Sequence, residues 1–195
     1  MSYSITSSSD NCYPGTTVLV NNLGLRSQEA LDQAEKIAAS LRSVELESKG
    51  SDESFSFSFY CSIHKYLFGD IYEWAGTLRT VDLSKKGTRF CRAEAIQQVG
   101  SAMFSRLQKE NYFQNIPRED YVLKISEFYH DLNMLHPFRE GNGRTQRLFF
   151  TMLIRRAGYD IDFSSLDLDE LMIATIYAAQ GISSYLQNFF NKAII

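Results

Sequence analysis

LHPFREGNGRTQRLFF, residues 135–150, interrupts a helical pattern in the second half of the chain, and the reading of the rest follows from it. Ahead of it, from near Pro117, Tyr121, Val122, Ile125, Phe128, Tyr129 and Leu132 recur at the spacing of one helix face. Behind it a second helix is expected from about Asn142 to Gly158, a residue suited to follow a helix C-terminus. Pro137 ends the first helix. The start of the second offers unpaired N–H groups and the positive end of the helix dipole, which together attract anions. Gly141 and Gly143 let the backbone approach a ligand closely, because no Cβ stands in the way. Arg144 and Arg147, three residues apart, can each grip a phosphate through two N–H groups.

Glu140 is the odd member of this positive cluster. A carboxylate beside bound phosphates is repelled unless a cation lies between them, and Mg²⁺ binds through one or two carboxylates plus substrate phosphates. Glu140 therefore points to a metal–nucleotide complex. His136, at the end of the preceding helix, faces the same place and could accept a proton from an attacking hydroxyl. Phe138 is expected to turn inward as an anchor. The plain alternative is a helix–loop–helix corner, with His136 half-buried, Gly-Asn-Gly as the turn and the arginines solvated; spacing alone leaves both open.

The remainder of the 195 residues reads as one domain, 1–195, with enough length for a substantial core. A net charge of −3 argues against a general nucleic-acid footprint, and no run is long or apolar enough to span a bilayer. The start lacks a signal-peptide pattern. Cys12, Cys61 and Cys91 have no C-x-x-C spacing and read as free thiols in a reducing compartment.

Residues 1–26 read as a polar tail followed by a YPGT turn. A helix follows Ser27 with apolar positions Ala30, Leu31, Ala34, Ile37, Ala38, Leu41 and Val44. SFSFSFY alternates as a strand does, yet IHKYLFGDIYEWAG follows it as helix, so the alternation can equally be the entry to that helix. Residues 77–92 look like a β-hairpin around Lys85-Lys86-Gly87. Ile96, Val99, Met103 and Leu107 stripe a further helix. Ser164 or Ser165 is expected to cap the next, and a last one fills 183–194. The fold class is all-α with one hairpin.

HPFREGNGRTQR resembles the signature of the Fic family, H-P-F-x-[D/E]-G-N-G-R-x-x-R, at every specified position. The YPGT turn, IHKYLFGDIYEWAGTLRTVDLSKKGTRF and the closing helices are similar to Fic sequences too, so the likeness covers nearly the whole chain. It implies an all-α Fic fold, with the motif at 136–147 joining two core helices and the hairpin as a flap. It also implies protein adenylylation: transfer of AMP from ATP to a Tyr, Ser or Thr hydroxyl. On that resemblance His136 deprotonates the hydroxyl and Glu140 holds Mg²⁺. Gly141, Asn142 and Gly143 form an anion nest, Asn142 at the α-phosphate, while Arg144 holds the β- and Arg147 the γ-phosphate. Lys85, Lys86 and Gly87 border the nucleotide, and Thr88 and Arg89 register the target by strand-like pairing. Many relatives have Lys-Gly-Gly at the flap tip where this chain has Lys85-Lys86-Gly87.

Many Fic proteins also carry an inhibitory [S/T]-x-x-x-E-[G/N] helix whose glutamate pairs with the second motif arginine. No clean match occurs here; Ser43 to Glu47 has the spacing but is followed by Ser48. The expectation is a separate small antitoxin protein supplying a glutamate to Arg147, with the helix near 27–46 as its docking surface and a degenerate Ser43–Ser48 motif in cis as the alternative. Such a toxin is expected in the bacterial cytoplasm, acting on a target such as a topoisomerase subunit, unless an unrecognised signal delivers it as an effector. Competing readings are transfer of another phosphate-containing group and a non-catalytic nucleotide-binding module. His64 and His130 are read as structural, Arg155-Arg156 as a solvated helix end, and an aromatic near Tyr177–Tyr185 as a candidate adenine neighbour.

Overall fold

The computed structural model describes residues 4–5, 11–49, 54–85 and 87–195. Among the described residues, seven α-helices follow in order: α1 (Gln28–Lys49), α2 (Phe57–Phe68), α3 (Ile96–Lys109), α4 (Arg118–Leu135), α5 (Asn142–Arg156), α6 (Leu168–Ala179) and α7 (Ser184–Ala193). Three short strands among the described residues, β1 (Ser4–Ile5), β2 (Leu83–Lys85) and β3 (Thr88–Arg89), form an antiparallel sheet in the order β1-β2-β3. No described helix is long and apolar enough to cross a membrane.

α5 is the axis of the core. Leu148, Phe149, Phe150, Leu153 and Ile154 cover its circumference and are all buried, the pattern of a helix enclosed by others, here α1, α2 and α4. Aromatic edges knit these together: Phe149 meets Tyr60 at 5.3 Å and Phe104 at 5.5 Å, both near-perpendicular enough for edge contact. Truncating Phe149 to alanine would cost roughly 3–5 kcal/mol. The expected stripe of α4 is buried at each of its six positions.

The Ser-Phe alternation turns out to be a helix entry. Ser56 Oγ accepts the N–H of Phe59 at 3.1 Å and caps α2, which begins at Phe57. For α6 the cap is Asp167, not Ser164 or Ser165, because its carboxylate reaches the N–H groups of both Asp169 and Glu170. In α1 the helix is where the spacing put it, but the outer half of the apolar stripe is not core: Ile37, Leu41 and Val44 are 62%, 69% and 71% exposed. The buried face runs instead through Leu31, Glu35 and Ala39, and α1 packs against α2 and α5. Val99 of α3 is likewise exposed, while Phe104 takes its place in the core.

The hairpin pairs Ser84 with Arg89 and Lys85 with Thr88. Gly87 turns it with φ of 82°, the left-handed region glycine enters without strain; Lys86 lies outside the described residues. β1 adds to the outer edge of β2, so part of the expected loose terminus is held.

Candidate active site

The interruption at 136–141 is a tight loop between α4 and α5. His136 terminates α4 in a left-handed conformation, φ 44° and ψ 59°, an uncommon state for a residue with a Cβ. Arg79 holds it there. Its Nε donates to the carbonyl of His136 at 2.8 Å, Nη1 to Val81 at 2.6 Å, and Nη2 to Cys91 and, at 3.4 Å, to Leu135. Its own backbone N–H donates to Pro137. One buried guanidinium thus satisfies carbonyls at the end of α4 and at the base of the hairpin.

Asn142 closes the loop from the other side. Its Oδ1 accepts the N–H of Phe138 at 2.9 Å and its Nδ2 donates to the carbonyl of Phe138 at 2.8 Å. The amide is therefore spent on the loop, and what Asn142 can offer a phosphate is its first-turn N–H. Phe138 is fully buried, stacked 3.9 Å from His64 and 5.5 Å from Tyr60. Gly141, at φ 80°, is glycine for two reasons: a Cβ would strain the backbone and would lie 2.6 Å from the Phe68 ring.

His64 does more than fill the core. The N–H of Gly76 donates to its Nδ1 at 2.8 Å, so Nε2 carries the hydrogen and donates to the carbonyl of Glu140 at 2.9 Å. Burial lowers its pKa to about 4, which keeps this tautomer neutral. The Glu140 carboxylate in turn accepts the Gly141 N–H at 2.8 Å. Burial raises its pKa, against the lowering effect of that bond.

The same logic defines His136. A carbonyl only accepts, so the 3.1 Å contact with Asn133 places the hydrogen on Nδ1 and leaves Nε2 as the basic nitrogen. Burial, reinforced by the charges of Arg79 and Lys85, pushes its pKa down to about 3. His136 is thereby neutral at physiological pH, the form a general base requires.

These groups share one cavity of about 380 Å³. His136, Glu140, Gly141, Gly143, Arg144 and Arg147 form its polar end, with Lys85, Thr88 and Phe90 of the hairpin over it. Phe90 stacks on His136 at 3.9 Å. The other end is apolar, made by Leu171, Met172 and Ile176 of α6, and suits a flat ring. Of the aromatic candidates, Tyr177 stacks on Tyr185 at 4.4 Å and neither lines this cavity, which takes the neighbouring face of α6. Arg89, also expected at the site, is exposed on β3. A second cavity, about 570 Å³, shares Arg144 and Arg147 and opens between α1 and α5.

Sequence reasoning missed the residues that hold these in place. His64 is structural, as expected, but its two hydrogen bonds carry no signal in the sequence, and neither do Arg79, Glu35 and Tyr72. Arg155 and Arg156 are exposed in the last turn of α5, as expected, and they also have partners: Arg155 pairs with Glu47 at 2.6 Å and Asp160 at 2.7 Å, and Arg156 lies over Tyr112 at 4.5 Å.

A helical domain that sets a neutral histidine, a carboxylate and two arginines around one helix start is of the phosphate-handling enzyme class. Residues 54–154 match the family model described as "Fic/DOC family". The chain is 35% identical to "Probable protein adenylyltransferase Fic" of Salmonella typhimurium, over 93% of this chain and 90% of that one. It is 36% identical to "Protein adenylyltransferase VbhT" of Bartonella schoenbuchensis over 92% of this chain, which spans 37% of that longer protein. Among solved structures, BepC of Bartonella tribocorum with bound AMPPNP superposes with a TM-score of 0.89 at 25% identity, covering 95% of this chain and 96% of that one. The chain belongs to the Fic/DOC family.

Proposed function

We propose that this protein is a protein adenylyltransferase, moving AMP from ATP to a Tyr, Ser or Thr hydroxyl of a target protein. The observation that carries this is His136, whose unprotonated Nε2 shares a cavity with the glycines and arginines of the α5 start. His136 Nε2 takes the hydroxyl proton as the hydroxyl oxygen bonds to the α-phosphorus. The bond from that phosphorus to the bridging oxygen breaks, and pyrophosphate leaves with the electron pair. Arg144 and Arg147 and the first-turn N–H groups meet the charge on the phosphates, as preorganised donors do at phosphoryl-transfer sites.

Mg²⁺ fits the residues present. Glu140 is a hard oxygen donor, and no cluster of three or more His, Cys, Asp or Glu side chains gathers among the described residues to bind a metal alone. Glu140 would hold the ion jointly with the substrate's phosphates, where the metal offsets their negative charge. The free edge of β3 offers backbone N–H and C=O groups to an extended target segment. ATP labelled at the α-phosphate should mark a protein in a bacterial lysate; label arriving only from the γ-phosphate would identify a kinase instead.

The second cavity supports control by a separate small protein acting as antitoxin. It reaches Arg147 beside the Lys36, Ser40, Ser43 and Val44 face of α1. The exposed Ile37 and Leu41 continue that face, as an amphipathic helix would require. Such a helix would bring its glutamate to Arg147. Glu47, the alternative in cis, is held by Arg155, two turns along α5 from Arg147.

A further inference from the structure

We propose that Glu35 is a positioning residue for Arg144, holding the guanidinium ready for the phosphate beyond the α-phosphate. This rests on the reading of Arg144 as a phosphate ligand. Glu35 lies on α1, 109 residues from Arg144 in sequence, and its side chain is almost wholly buried. One carboxylate oxygen accepts from Arg144 Nη2; the other accepts from the hydroxyl of Tyr72, itself buried. With both oxygens engaged, the carboxylate cannot swing toward a ligand. A buried carboxylate is tolerated only with such partners, so the pair and its hydroxyl stand or fall together.

The other constraints on Arg144 agree. Its guanidinium sits 4.8 Å from the centre of the Phe68 ring, and Glu140 Oε1 lies 3.6 Å from the same Nη2. Every side-chain hydrogen bond and ion pair of Arg144 among the described residues runs through that one nitrogen. Nε and Nη1 remain for a ligand in the cavity that Arg144 lines. A long arginine side chain loses considerable rotamer freedom when it binds a ligand, and one seated in advance has already lost it. Glu35 and Tyr72 form that seat, and they also tie the face of α1 beside the second cavity to the phosphate end of the site.

The test is a double-mutant cycle on nucleotide binding. Glu35→Gln, Arg144→Ala, the double variant and Tyr72→Phe are titrated with ATP and with AMP in Mg²⁺ buffer, with thermal unfolding followed in parallel. Glu35→Gln should weaken ATP binding about tenfold and leave AMP within about twofold, with Tyr72→Phe intermediate. In the Arg144→Ala background it should add nothing. If Glu35→Gln weakens AMP equally, or weakens ATP further without Arg144, its effect is general packing and the proposal is overturned. Wild-type ATP affinity in a folded Glu35→Gln also overturns it. Unchanged ATP affinity in Arg144→Ala would instead refute the phosphate role of Arg144, a separate failure. Should Glu35→Gln not fold, Tyr72→Phe carries the same comparison.

Discussion

Arg79 and His136 form one unit: the guanidinium Nε donates to the histidine's backbone carbonyl at 2.8 Å while its other nitrogens grip the hairpin base and the end of α4. The left-handed conformation of His136 persists because Arg79 over-determines it. A lysine has one nitrogen and cannot reach four carbonyls at once. Arg79→Lys and Arg79→Met should each destabilise by roughly 2–4 kcal/mol, through carbonyls left without donors. AMP transfer should fall more than stability explains, because the hairpin and His136 lose their common anchor. Denaturant unfolding beside a transfer assay at a temperature where the variant is folded checks both.

The pH dependence follows from His136. Its folded pKa of about 3 lies below the ordinary 6.5, through burial first and then the neighbouring positive charges. The unfolded chain takes up this proton as pH falls through 6.5, and the native state does not until about 3. Stability is therefore undiminished above pH 6.5 and lost as pH drops below it, at up to about 1.4 kcal/mol per unit from this group. His136→Asn should flatten the fall in melting temperature between pH 6.5 and 5. The transfer rate of the folded enzyme should not show the decline below pH 6.5 of an ordinary histidine base.

Gly141→Ala should be among the most damaging single-methyl changes. The added Cβ would meet the Phe68 ring at 2.6 Å in a backbone state that resists it. Gly158, with φ of 89° and nothing within 4 Å, isolates the backbone part. Gly158→Ala should cost about 1 kcal/mol and Gly141→Ala at least twice that, with transfer lost only in the latter. Thermal melts and the transfer assay separate them.

Glu47→Ala tests control in cis. Glu47 pairs with Arg155 at 2.6 Å, both partly exposed, so its loss should cost no more than about 1 kcal/mol. The isolated protein should gain no activity. A tenfold gain would show that Glu47 restrains the site and that no second protein is needed.

How far the sequence carried the reading depends on separation along the chain. His136, Glu140, Arg144 and Arg147 lie within one short stretch, so the helix start and its charges were legible together. Asn142 was legible as a site member, but only packing shows its amide closing the loop on Phe138. Glu35, His64, Tyr72 and Arg79 act across 37 to 109 residues, and no local pattern marks them. Periodicity placed α1 but misjudged its outward face, because Ile37, Leu41 and Val44 keep helical spacing whether or not anything covers them. The apolar end of the cavity on α6 carries no local mark either, because Leu171, Met172 and Ile176 have the spacing of any helix face.

The central claim is that His136 is the base and not an ATP-binding group. The most direct measurement is single-turnover transfer from α-labelled ATP by wild type and His136→Ala, with ATP affinity measured on the same samples. Transfer should fall at least about a hundredfold while affinity stays within about twofold. Transfer at near wild-type rate by His136→Ala, or a loss fully accounted for by weaker ATP binding, would contradict it.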